Sequence, residues 1–120
     1  MKLIIAGSRD LIITPDEIKN YLVNHNVTLN QIEEVVSGQA CGIDTCGEVF
    51  ARNFSIKTKR FKVTPNDWKT KGKGAGHIRN KKMALYGDML AVFWDGKSGG
   101  SFNMKETMEN LGKPVLEFIL

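Results

Sequence analysis

Two arginines and a few carboxylates carry most of the chemistry open to this 120-residue chain. Arg9 follows Gly7 and Ser8 directly, and Arg79 stands with Asn80 in a strongly basic segment. A guanidinium presents a planar fork of donors that matches a phosphate or a carboxylate, so both are candidate anion contacts. Ser8 can add a hydroxyl and Asn80 an amide. Asp44, Glu48 and Asp95 are the carboxylates near these groups in the pattern. Asp44 serves either as an acid favoured at a helix start or as an acceptor for ribose hydroxyls. Asp95 either accepts a hydroxyl or only shapes a turn. Glu48 is the spare carboxylate if a reaction occurs, which makes Arg79, Glu48 and Asp95 the catalytic candidates. His77, next to this group, is a donor or a helix cap.

Gly96-Lys97-Ser98 reads like the tail of a phosphate-binding P-loop. That motif needs a further glycine five positions before Gly96. The residue there is Ala91, inside an apolar run, so no arch can wrap a triphosphate. Gly96, Lys97, Ser98, Gly99, Gly100 and Ser101 are instead expected to form a glycine cradle for phosphate, without the P-loop wrap. The dinucleotide fingerprint is missing too, since the first strand is followed by Gly7 alone. Trp68 either anchors its loop on the core or stacks on a base. Cys41 and Cys46 read as reduced, unpaired thiols, and with His25 and His77 distant in sequence no metal site is expected.

These residues need a frame. Short apolar runs alternate with amphipathic ones: Lys2–Ala6, Glu33–Ser37, Lys59–Val63, Asp88–Trp94 and Pro114–Ile119 read as strands. Thr14 and Pro15 open a helix that ends near His25. Ile43, Cys46, Phe50 and Phe54 recur at helical spacing, as do Ile78, Met83, Leu85 and Tyr86. Phe102–Leu111 reads as the last helix, and Thr64–Gly76 as a long polar loop, of which Lys69–Gly76 is a candidate lid. Alternating strands and helices predict an α/β fold, with a mostly parallel five-stranded sheet in the order 3-2-1-4-5. The expectation is a single Rossmann-like three-layer sandwich over residues 1–120.

In that topology every loop after a strand leaves at the same sheet edge, and ligands bind there, beside the reversal of strand order. Gly7, Gly38, Gly42, Gly76, Gly96, Gly99 and Gly100 all fall in such loops. Ten of the 17 basic residues lie between Lys57 and Lys82, against the single acid Asp67, which favours an anionic partner. No segment approaches the ~18 apolar residues of a membrane span, and the short apolar start is no signal peptide, so a cytoplasmic protein is expected.

Four stretches taken in order, "GSR", "SGQACGID", "NDWKTKGKGAGHIRNKKM" and "FWDGKSGGS", resemble the YspA-like branch of the SLOG superfamily. This is a Rossmann-like group related to the LOG phosphoribohydrolases and the DNA-processing protein DprA. The resemblance covers nearly the whole chain. It implies binding of a nucleotide or a nucleotide-derived signal, with no bound cofactor, and Arg79 matches the catalytic arginine of LOG enzymes. It departs from them where their catalytic glutamate stands, since Met104 is there and Glu106 lies half a helical turn off. The branch also commonly carries an arginine at Cys41 and a proline at His77. Three functions follow as expectations. The first is a module that senses or sequesters a nucleotide-like anion. The second is an N-glycosidic hydrolase of nucleoside monophosphates, and the third a DNA-binding module akin to DprA. Relatives of this kind often pair subunits, so the resemblance also implies a homo-oligomer.

Overall fold

The computed structural model describes the backbone of all 120 residues and every side chain except that of Lys73. Five strands form one sheet: β1 (Lys2–Gly7), β2 (Glu34–Ser37), β3 (Lys57–Arg60), β4 (Met89–Trp94) and β5 (Val115–Ile119). Their order is 3-2-1-4-5 and every pairing is parallel. The helices are α1 (Pro15–Asn24), α2 (Ile43–Asn53), α3 (Pro65–Lys71), α4 (Lys73–Tyr86) and α5 (Gly99–Asn110), with a 3-10 turn at Leu29–Gln31.

The two central strands show why three layers form. Side chains alternate across a strand, so a run that is apolar throughout must be covered on both faces. Leu3 and Ile5 of β1, with Ala91 and Phe93 of β4, pack under Ile18, Leu22, Ile43 and Phe50 from α1 and α2. Ile4 and Ala6, with Leu90, Val92 and Trp94, pack under Met83, Ala84, Met104 and Met108 from α4 and α5. A radius of gyration of 13.2 Å is that of a compact chain of this length.

Helix starts follow local chemistry. Thr14 caps α1 by accepting from the Glu17 N–H, while the Glu17 carboxylate accepts from the Thr14 N–H, with Pro15 in the first turn. Thr64 and Asp67 repeat that box at α3, again followed by a proline.

That second box corrects the sequence reading. The segment from Thr64 to Gly76 is not a loop: α3 fills most of it, and α4 begins at Lys73 after a turn at Gly72. No lid of open chain exists there. Arg79 and Asn80 therefore lie about two turns inside α4 rather than at its start. Strand β3 lies earlier than expected, at Lys57–Arg60, and α5 begins at Gly99, so Gly99, Gly100 and Ser101 form a helical first turn, not a loop. Among the described residues no helix is long and apolar enough to cross a membrane.

Candidate functional site

Because the strands are all parallel, the segments after β1, β2 and β4 emerge at one edge, and α3 sits at that edge after β3. The strand order reverses between β1 and β4. A cleft of about 700 Å³ opens at this point. Ser8 and Arg9 reach it from β1, Asp44 from α2 and Trp68 from α3. From α4 come Gly76, Arg79 and Asn80, and from the β4–α5 turn come Asp95 and Ser98 to Ser101.

Close backbone approaches hold the rim together. Gly42 has φ 75°, and a Cβ there would stand 2.4 Å from the Ser8 carbonyl oxygen and 2.5 Å from that of Arg9. Only glycine lets the β2–α2 turn press against the β1–α1 turn in this way. The Ile43 N–H then donates to the Ser8 carbonyl at 3.2 Å. The Ser8 side chain, 4% exposed, accepts from the Asp95 N–H at 3.0 Å and so ties the loops on either side of the reversal. Its hydroxyl also donates toward the Asp95 carboxylate, which helps to hold the Asp95 pKa down.

Gly38 sits between two groups of opposite charge. A Cβ on it would meet Asp44 Oδ2 at 2.9 Å and Arg79 Cζ at 3.0 Å. Arg79 Nη1 donates to the Gly38 carbonyl at 2.8 Å, and Nη2 to Asn80 Oδ1 at 3.3 Å. Its Nε is buried and makes no hydrogen bond among the described residues. An orphaned donor of that kind costs about 1–3 kcal/mol until an acceptor arrives. Burial lowers the Arg79 pKa; the nearby Asp44 charge opposes this and the nearby Arg9 charge adds to it. Arg9 is exposed and lines the same cleft, so two mutually repelling cations face it.

Asp44 is 4% exposed, and its Oδ2 accepts from the Ala40 N–H at 3.2 Å. Burial pushes its pKa up to about 6; the Ala40 hydrogen bond and the Arg79 charge pull the other way. Asp95 is the opposite case. Its Oδ1 accepts from the Lys97 and Ser98 N–H groups, and these bonds hold its pKa below the ordinary value. It shapes the turn into α5 while its side chain borders the cleft.

At the start of α5 the Phe102 N–H is already bonded to the Ser98 carbonyl. The N–H groups of Gly99, Gly100 and Ser101 have no acceptor among the described residues, as expected for a helix first turn. Together they can hold an anion. Asn80 braces this turn, its amide donating to the Gly100 carbonyl at 3.3 Å and to Asn103 Oδ1 at 3.0 Å. Its side chain is thereby committed to joining α4 and α5.

Not every expected residue reaches the cleft. Glu48 does not line it: one carboxylate oxygen accepts from Ser37 Oγ at 2.7 Å and the other pairs with Arg60 Nε at 2.9 Å. Gly7 lines the cleft beside Ser8, whereas Gly42, Gly96 and Lys97 support the rim without lining one of these cavities. Gly38 lines an adjoining lobe of about 620 Å³, which shares Arg9, Ala40, Trp68 and Arg79 with the cleft. The floor contains Met83 and Met104, which the sequence reading treats as core filling. Helical spacing points to both, since Met83 lies four residues after Arg79 and Met104 three after Ser101. Glu106 is exposed and outside the cleft. Among the described residues no group of three or more His, Cys, Asp or Glu could hold a metal, and both cysteines are free thiols.

Fold and cleft define a parallel α/β chain of Rossmann-like strand order with a cleft bordered by two arginines at its switch point. Compared with known proteins, the chain is 34% identical over 89 residues to the Gene 61 protein of Mycobacterium phage D29, an alignment covering 70% of each chain. It belongs to the family of that phage protein. No protein-family model and no solved structure matches it.

Proposed function

We propose that this chain is a SLOG-type module of the YspA-like branch that binds a nucleotide or a nucleotide-derived anion in the switch-point cleft. The observation that carries this reading is the pair Arg9 and Arg79. Two cations face one cleft with the buried Arg79 Nε lacking an acceptor, opposite a helix turn with three unpaired N–H groups. A phosphate between them accepts from the α5 turn N–H groups and screens the two guanidinium charges from each other. Asp44 then serves the sugar, and the half-exposed Trp68 ring serves the base. Met104 supplies no carboxylate where LOG enzymes carry theirs, which favours binding over turnover.

Thermal denaturation with the four nucleoside 5′-monophosphates and the matching nucleosides tests the proposal. At least one monophosphate should raise the melting temperature, its nucleoside much less, and Arg79→Ala should abolish the shift. Equal shifts for nucleosides and monophosphates, or none with either, contradict it.

One observation favours a second reading, N-glycosidic hydrolysis of a nucleoside monophosphate. Asp44 is a buried carboxylate with its pKa raised to about 6, in the same cleft as Arg79. Ionised above that pH, it can stabilise an oxocarbenium-like sugar. Release of free base at an enzyme-like rate, lost in Asp44→Asn, would establish hydrolysis over simple binding.

A further inference from the structure

The two helices that cover one face of the sheet are segregated by charge. Helix α4 carries Arg79, Lys81 and Lys82 besides Lys73 and contains no acid, whereas the exposed charges of α5 are Glu106 and Glu109. The single cation of α5, Lys105, is half-buried and pairs with Glu117. On the opposite face of the sheet α1 and α2 each carry both signs, the pattern of a helix that meets only water. Lys81, Lys82, Glu106 and Glu109 are exposed and make no ion pair among the described residues.

Large apolar side chains share this surface. Ile78 and Leu85 lie two turns apart on α4, either side of these lysines, and are 45% and 60% exposed. Phe102, one turn before Glu106 on α5, is 50% exposed. The sheet is met instead by Met83 and Ala84 of α4 and by Met104 and Met108 of α5. Both helices lead into parallel strands of one sheet, so they run in the same direction. Asn80 ties α4 to Gly100 and Asn103 at the start of α5, and just beyond the end of α5 Lys113 Nζ donates to the Ala84 and Gly87 carbonyls at the end of α4. The result is one two-helix surface with a basic half, an acidic half and apolar residues in each.

We infer that this surface binds a second copy of the chain. A closed dimer has a two-fold axis, so its contact patch must complement itself. This patch does so, with two free lysines on one helix and two free glutamates on the other. An axis running along the helices sets α4 of each copy on α5 of the other. Each pair of lysines then meets a pair of glutamates, and Ile78, Leu85 and Phe102 are covered. An axis across the helices would set cations on cations and acids on acids, so the charges select the orientation as well as the partner. The inference is independent of what the cleft binds.

Sedimentation equilibrium of the whole chain tests it, at concentrations up to about 200 µM so that a micromolar dissociation constant is read. The wild type should approach twice the chain mass of 13.4 kDa. The double variants Lys81→Glu, Lys82→Glu and Glu106→Lys, Glu109→Lys should each sediment as monomers. Mixed in equal amounts they should associate again, because each helix then faces its opposite charge. All four side chains are exposed, and an unchanged circular dichroism spectrum checks that each variant folds. Leu85→Asp, at another exposed position of the same surface, should weaken the wild-type dimer at least about tenfold, the loss expected when an apolar contact at an interface is removed. A wild type that stays monomeric overturns the inference. So does a dimer that survives either double variant or Leu85→Asp, which would place the contact on another face. Two monomeric double variants that fail to associate when mixed overturn the pairing of α4 with α5.

Discussion

Arg79 and Asp44 concentrate the site's electrostatics. Arg79 is held by the Gly38 carbonyl and the Asn80 amide oxygen, which leaves its Nε aimed at no partner. Arg79→Lys keeps a charge but loses the fork, and should weaken nucleotide binding nearly as much as Arg79→Ala. Loss of a charge-assisted contact of ~1.5–3 kcal/mol corresponds to roughly 10- to 150-fold in the dissociation constant, measurable by calorimetry. Asp44 gives a pH signature. Its folded pKa of about 6 lies above the 3.8 of an ordinary aspartate, so the folded chain binds this proton more tightly than the unfolded one. The stability contributed is full below pH 4 and is lost as the pH rises through 6, a difference of about 3 kcal/mol. Asp44→Asn removes the titration and can still accept from the Ala40 N–H. Its denaturation midpoint relative to the wild type should therefore climb between pH 4 and 7 and level off above. An offset independent of pH would mean that Asp44 does not carry this proton.

At the scale of elements, the rim depends on turns that only certain residues permit. Gly42→Ala places a Cβ against two carbonyl oxygens at a backbone angle that side chains avoid. It should lower stability by about 2 kcal/mol or more, read as a drop in the urea midpoint. Helix α3 is short and exposed, and its Thr64–Asp67 box is a main local support. Thr64→Ala should cost about 1 kcal/mol locally, seen as faster amide exchange in α3 with the sheet amides unchanged. This helix also marks where the sequence is hard to read. Strands β1 and β4 are legible because both faces are buried and the runs are apolar throughout. Helices α1 and α2 are legible from caps and spacing. Around α3 the residues Pro65 to Gly76 are polar, cationic and rich in glycine, with no apolar stripe to reveal a helix, although Thr64, Pro65 and Asp67 spell its start. The same density of glycine hides the first turns of α4 and α5. The misplacement changes the chemistry expected of Arg79: it reaches the cleft as a mid-helix side chain, and the free N–H groups near the β4–α5 turn belong to α5 rather than to α4. Glu48 shows a second limit, because its tie to Arg60 depends on the β2–β3 register, in which Ser37 lies beside Arg60.

For the molecule as a whole, charge and topology point the same way. The net charge is +4, and the basic excess between Lys57 and Lys82 falls on β3, α3 and α4, away from β5. Nucleotide affinity should fall as ionic strength rises from 50 to 500 mM, and fall less in Arg9→Ala, which removes one steering charge. The central claim is that segments distant in sequence build one anion site at the strand-order reversal. Amide chemical shifts of the 15N-labelled protein, titrated with the best-binding nucleoside monophosphate, test it most directly. The largest changes should fall on Gly99, Gly100 and Ser101, with Arg79 side-chain Nε–H and the Ser8–Arg9 amides moving in the same titration. Changes confined to the exposed lysines of β3 and α3, with the α5 turn unmoved, would contradict it.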